Sequence, residues 1–153
     1  MKLSIVALGH RMPAWVDTAY NEYAKRLPRE YALELVVLKP AARDTPVPRA
    51  LALEAQRIEA ACAGAAIVAL DERGAAWTTR QLADRLAGWR NDGSRIAFVI
   101  GSADGLDSTL KKKAAACIQL SALTLPHGMA RVLLVEQLYR AASLIAGHPY
   151  HRE

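Results

Sequence analysis

The sequence predicts a single α/β domain built on a mainly parallel β-sheet. Three observations carry that prediction. Short, largely apolar runs recur at 3–8, 33–38, 65–70 and 96–100, and those at 65–70 and 96–100 are continuous, the pattern of strands covered on both faces. Between them, apolar residues fall at helical spacing, and strands that alternate with helices assemble into a parallel sheet. The chain is 153 residues long, with 52% hydrophobic and 23% charged residues. That suits one domain with a real core and leaves little room for a second.

Each element has its own signal. The run 3–8 reads as the first strand and stops at Gly9. Behind Pro13, a good first-turn residue, Trp15, Ala19, Tyr20, Tyr23, Ala24 and Leu27 recur at helical spacing. A second strand at 33–38 lies between Pro28 and Pro40, and the stretch 39–49, with Pro40, Pro46 and Pro48, reads as an exposed connection. Leu51, Ala55, Ile58 and Cys62 mark a second helix closed by Gly64, and 65–70 a third strand. A turn is expected over 71–76. Thr78 and Gln81 have the spacing of a capping box, opening a helix whose inward stripe is Leu82, Leu86 and Trp89.

The run 96–100 reads as a fourth strand leading into Gly101, and a short helix is expected near Asp107. The last strand is expected over 118–125, stopped by Pro126. A long helix then spans 129–146 and ends at Gly147. It is apolar around most of its circumference, which implies burial, part of it expected from another subunit. Glu136 and Arg140 form an i,i+4 pair on it.

Composition excludes several classes of function. No apolar stretch approaches the roughly 20 residues of a membrane helix. The opening MKLSIVALGHRMP lacks a long signal core and a cleavage site, so it reads as the first strand of a cytoplasmic protein. Cys62 and Cys117 have no companions at metal-ligand spacing, so no metal is expected and both read as buried thiols. The formal charge of +5 is compatible with a polyanionic partner but too small to locate a binding face.

In parallel sheets, ligands bind outside the carboxyl ends of the strands. That rule nominates three places: 70–71, 101–105 and 125–128. The loop Gly101-Ser102-Ala103-Asp104-Gly105 is either a plain tight turn or a backbone cradle. No Lys-Ser/Thr pair follows it, so it is not a phosphate loop, and 9–13 lacks the dinucleotide fingerprint. Any cofactor is therefore expected against the later strands. The segment Ser121-Ala122-Leu123-Thr124-Leu125-Pro126-His127 reads either as a core strand with a proline stop or as a wall for an adenine, its backbone meeting the edge and its leucines the faces. His127 is a candidate general base or a structural histidine. Lys111, Lys112 and Lys113 are a solvated helix face or a phosphate contact.

Together these blocks resemble the ribosomal RNA large subunit methyltransferase H family of the knotted SPOUT superfamily. The likeness runs nearly the whole length, from MKLSIVALGHRMPAWVDTAYNEYAKRLP through LSALTLPH and ARVLLVEQLYRA to the terminal HPYHRE. The resemblance implies a single SPOUT-type domain over 1–153 with a C-terminal trefoil knot, its cofactor pocket mainly within 70–153, acting as a homodimer. It implies S-adenosyl-L-methionine as cofactor, held by Leu70, Gly101, Leu120, Ser121, Ala122, Leu123, Thr124 and Leu125. The implied reaction is N3-methylation of a pseudouridine in the large-subunit (23S) ribosomal RNA, with the ribosome as partner. The resemblance further implies a target-binding and catalytic tail of Tyr150, His151 and Arg152, contributed across the dimer interface.

This sequence departs from the family at two places. Gly101-Ser102 stands where two glycines are common, and Gly128 where a proline often follows the histidine. Arg152 is expected to stabilise the anion that forms as the N3 proton leaves, with His127 or His151 accepting that proton. Two other readings fit the residues: a knotted methyltransferase acting on another RNA such as tRNA, and a non-catalytic ribosome-binding module.

Overall fold

A computed structural model of the protein describes residues 1–9 and 11–150. Ten main elements alternate along the chain: β1 (Lys2–Leu8), α1 (Ala14–Ala24), β2 (Glu34–Leu38), α2 (Val47–Ala61), β3 (Ala66–Ala76), α3 (Thr79–Asn91), β4 (Arg95–Ile100), α4 (Ser108–Lys113), β5 (Ala116–Gln119) and α5 (His127–Ala146). A 3-10 turn at Arg29–Tyr31 leads into β2. The strands form one sheet in the order β2-β1-β4-β3-β5, and every neighbouring pair is parallel.

The continuous apolar runs have a two-sided explanation. Successive strand residues face opposite sides of a sheet, and both sides are covered. Leu3, Ile5 and Ala7 of β1 join a core with Tyr20, Leu82, Leu86, Leu134 and Leu138 of α1, α3 and α5. Val6 and Leu8 join a second core with Ala55, Ile58 and Leu110 of α2 and α4. The capping box of α3 forms as its spacing predicts, Gln81 N–H donating to Thr78 Oγ1 at 3.1 Å. The Glu136–Arg140 pair of α5 forms too, at 2.8 Å.

Among the boundaries that differ from the sequence reading, four have a clear local reason. First, the expected turn at 71–76 belongs to β3. Leu70 and Ala75 both pair with Ile118, so 71–74 bulge out of the ladder and the strand then rejoins it. Gly74 makes the return possible, because a Cβ there would lie 2.5 Å from the Ile118 carbonyl carbon. Second, β5 ends at Gln119 and not at 125. It is an edge strand whose only neighbour, β3, ends at Ala76. Beyond that point the apolar run has no ladder to join. Third, α2 starts at Val47, with Pro48 in its first turn, where the missing N–H costs nothing. Fourth, α5 starts at His127, with Pro126 as N-cap, so Gly128 lies in a helical first turn.

Candidate active site

β3, β4 and β5 run parallel, and the bulge of β3 together with the segments leaving β4 and β5 lines a cavity of about 580 Å³. This lies within the usual range for small-molecule sites. The three places nominated by the strand-end rule thus meet. Leu70, Gly101, Leu120, Ser121, Leu123, Thr124, Leu125 and His127 all line the cavity. Ala122 belongs to the same loop but is exposed and does not line it.

Beyond Gln119 the chain abandons regular structure, and this shapes the wall. Among the described residues, the backbone of 121–125 makes no hydrogen bond to another backbone group. It is steadied by side chains instead: Leu123 N–H donates to Ser121 Oγ at 2.9 Å, and Thr124 Oγ1 donates to Glu72 Oε2 at 3.3 Å. Leu123 is 76% exposed, a large apolar side chain at the rim. Free amides and carbonyls beside leucines suit a flat heterocycle with polar edges.

The loop after β4 needs its glycines. Gly105 donates its N–H to Ser102 O at 2.9 Å and sits at φ 86°, a left-handed conformation. A Cβ on Gly101 would fall 2.5 Å from Gly105 O. Ser102, standing where a second glycine is common in the family, turns into a pairing of its own. Its hydroxyl donates to Glu54 Oε1 at 2.9 Å, and Glu54 Oε2 accepts from Ala41 N–H at 2.9 Å.

The sequence reading left Lys111 open between a solvated face and a phosphate contact. Here its ammonium donates to Asp71 Oδ2 at 2.8 Å, and both residues line the cavity. Burial raises the Asp71 carboxyl, but the Lys111 bond, the Arg73 N–H on Oδ1 and both cations outweigh it and hold it below its ordinary value. Lys112 and Lys113 are exposed. Asp71, nominated by the strand-end rule together with Leu70 but without a role, is the acidic partner of Lys111.

His127 has both ring nitrogens engaged. Nδ1 lies 3.1 Å from Gly101 O, and Nε2 accepts from Arg131 Nε at 2.9 Å. Burial first, and then the Arg131 charge, push its pKa below the ordinary value, against a smaller opposite effect of the Gly101 bond. Arg131 is only 3% exposed. Apolar periodicity gives no sign of it, because the helix around it is apolar over most of its circumference.

Tyr150 lies elsewhere. Its ring packs on Tyr139 (4.5 Å between centroids) and under the Arg140 guanidinium (4.9 Å), while Oη donates to Glu136 Oε1 at 3.2 Å. Burial and the Glu136 charge push its pKa up to about 12. Tyr139 stands nine residues along α5 from Ala130, the last residue of that helix to line the cavity, so the ring of Tyr150 packs roughly 14 Å further along the helix at 1.5 Å per residue. His151 and Arg152 lie outside the described residues. The cysteines are both free, and burial pushes the Cys62 thiol up to about 11. Among the described residues no group of three or more His, Cys, Asp or Glu could hold a metal ion, and no helix is long and apolar enough to cross a membrane.

Comparison with known proteins gives consistent likenesses. Residues 1–151 match the family described as "Predicted SPOUT methyltransferase". The chain is 56% identical over 155 residues, 99% of both chains, to the ribosomal RNA large subunit methyltransferase H of Burkholderia thailandensis. It is 56% identical over 156 residues, the whole of both chains, to the protein of the same name from Laribacter hongkongensis. Among solved structures, a probable methyltransferase from Bordetella pertussis shares the fold at a TM-score of 0.63, with 20% identity over 92% of this chain and 93% of the other.

Proposed function

The chain belongs to the SPOUT methyltransferase family, and from that premise we propose that it methylates N3 of a pseudouridine in large-subunit ribosomal RNA, using S-adenosylmethionine. One observation carries the reading. Leu70, Gly101 and the loop from Leu120 to Leu125 converge on one cavity, in a chain whose full-length relatives are named for large-subunit RNA methylation.

The residues present suit that cofactor. Leu70, Leu106, Leu120 and Leu125 offer apolar faces for an adenine, and the backbone of 121–125, which makes no backbone–backbone bond among the described residues, offers donors and acceptors for its edge. The Asp71–Lys111 pair sets both signs of charge beside the cavity, matching a ligand end that carries an ammonium and a carboxylate. When bound, the cofactor supplies a sulfonium methyl group as electrophile. The protein's part is to hold the target base in line with it and exclude water, an alignment worth roughly 7–11 kcal/mol in well-oriented cases. The N3 proton must also leave. Arg152 stabilises the anion left on the base, and His151 receives the proton. Both ring nitrogens of His127 are already bonded, so its role is to hold the loop.

The reading includes a homodimer and the family's trefoil knot. Trp15 is 54% exposed and Met129 is exposed, while Val132 and Leu133 on α5 are half-buried, giving an apolar face for a second copy. Tyr150 lies far from its own cavity, so the tail serves the partner's. A ribosomal target places the protein in the cytoplasm. Offered labelled S-adenosylmethionine with purified ribosomes and with bulk tRNA, the protein should label only the large-subunit RNA. Label in tRNA alone would assign it a different substrate, and label in neither would favour a non-catalytic binding module.

A further inference from the structure

Among the described residues, a buried guanidinium near the cavity has one hydrogen-bonding task. Arg131 is 3% exposed, and its Nε donates to His127 Nε2 at 2.9 Å. Its Nη2 is buried with no hydrogen-bond partner among the described residues. Asp17 of α1 and the Tyr20 phenol act on it only through charge. Burying a cation this poorly satisfied is expensive, and an apolar side chain would fill the same space at less cost to stability. The contact obtained in return is the one with His127.

That contact determines where the imidazole proton sits. A guanidinium has no acceptor atom, so His127 Nε2 must present its lone pair to Arg131. The neutral ring then carries its proton on Nδ1. Gly101 O can only accept, so the 3.1 Å contact is an Nδ1–H donating to that carbonyl. Heavy-atom positions alone fix the tautomer. Without Arg131, the Nε2–H form becomes accessible and would turn a lone pair toward the Gly101 carbonyl. Gly101 is where β4 opens into the cavity wall, packed against Gly105 O. The pair is also wedged under the end of β1, where a Cβ on Gly9 would lie 3.0 Å from Arg131 Nη2 and 3.2 Å from His127 Nε2.

We infer that Arg131 is a positioning residue for the cofactor loop, acting through the tautomer of His127 on the carbonyl of Gly101. The inference rests on the reading of the cavity as the S-adenosylmethionine site.

Asparagine at position 127 supplies an amide N–H near the place of Nδ1–H and has no tautomer to lose. Calorimetric titration of the full-length protein with S-adenosylmethionine therefore separates a tautomer effect from plain packing. Arg131→Met and His127→Ala should each weaken binding roughly tenfold, the worth of one good hydrogen bond. His127→Asn should bind within about threefold of the parent, and adding Arg131→Met to it should change nothing further. An equal loss from Arg131→Met in both backgrounds, or no loss in either, overturns the inference. Nitrogen chemical shifts of His127 in the unmodified protein give a second readout that survives a misfolded variant. They should report Nδ1–H, and an Nε2–H ring overturns the inference as well. If the parent protein binds no S-adenosylmethionine while the shifts report Nδ1–H, the cofactor reading is what fails.

Discussion

Ser102 Oγ donates to Glu54 Oε1 at 2.9 Å, tying the loop that leaves β4 to a helix 48 residues earlier in the chain. Glu54 is only 5% exposed and also receives the Ala41 N–H, so one carboxylate fastens two loops. A glutamine could keep both contacts, accepting from Ala41 and donating to the serine hydroxyl. Glu54→Gln should therefore cost under about 1 kcal/mol in urea unfolding. Glu54→Ala should cost about 1–3 kcal/mol, the range for orphaning buried partners. It should also loosen cofactor binding through the 101–105 loop.

Two glycines should respond to alanine in opposite directions. A Cβ on Gly74 would meet the Ile118 backbone at 2.5–2.7 Å, where neither strand can yield without breaking the rejoined ladder. Gly74→Ala should lose about 1–3 kcal/mol or more. Gly88 is exposed within α3 and has nothing within 4 Å. Gly88→Ala should gain about 0.5–1 kcal/mol by helix propensity and a less flexible unfolded chain. Thermal melts of the two variants check both signs.

His127 makes stability depend on pH in a definite direction. Burial, followed by Arg131, lowers its pKa in the fold from the ordinary value of 6.5. Below that value the unfolded chain binds more protons at this position than the native one, so stability rises with pH there. The contribution is fully present above about 6.5 and is lost as pH falls toward and through the lower folded value. Facing the ring are Arg131 on α5 and the Gly101 carbonyl, with Asp17 and Tyr20 of α1 behind the guanidinium. Melting temperatures between pH 5 and 8 should fall on the acid side, and His127→Asn should flatten that part of the curve.

Tail and cavity should complement each other between chains. A chain with Arg152→Ala keeps its cavity, and a chain with Gly101→Val keeps its tail but loses its cavity, because a side chain at 101 would strike Gly105 O. Each alone should be inactive, with only the first still binding S-adenosylmethionine. Co-expressed, they should recover roughly a quarter of parental turnover if one mixed site in each heterodimer is intact and pairing is random. Turnover that stays at zero would place the tail on its own chain's cavity.

Much of this was legible in the chain, for physical reasons that vary by element. β1 and β4 were readable because both faces of the sheet are covered, leaving apolar runs that only Ser4 interrupts. The capping box at Thr78 was readable because its chemistry is local. The end of β5 was not, since an apolar run looks the same whether it continues a ladder or lines a cavity. What stopped it was the length of β3, a tertiary fact. The cavity's position followed from the strand-end rule, but its charges did not. Asp71 and Lys111 are 40 residues apart, and Arg131 hides in a helix apolar around nearly its whole circumference. Ser102 was visible as a departure, and its partner Glu54 was not.

The most direct test is methylation of purified ribosomes that lack the modification, with the product nucleoside identified by mass spectrometry. The account predicts one N3-methylated pseudouridine in the large-subunit RNA, formed only when both the protein and S-adenosylmethionine are present. No methyl incorporation, or a methyl group on another atom or another RNA, would contradict it.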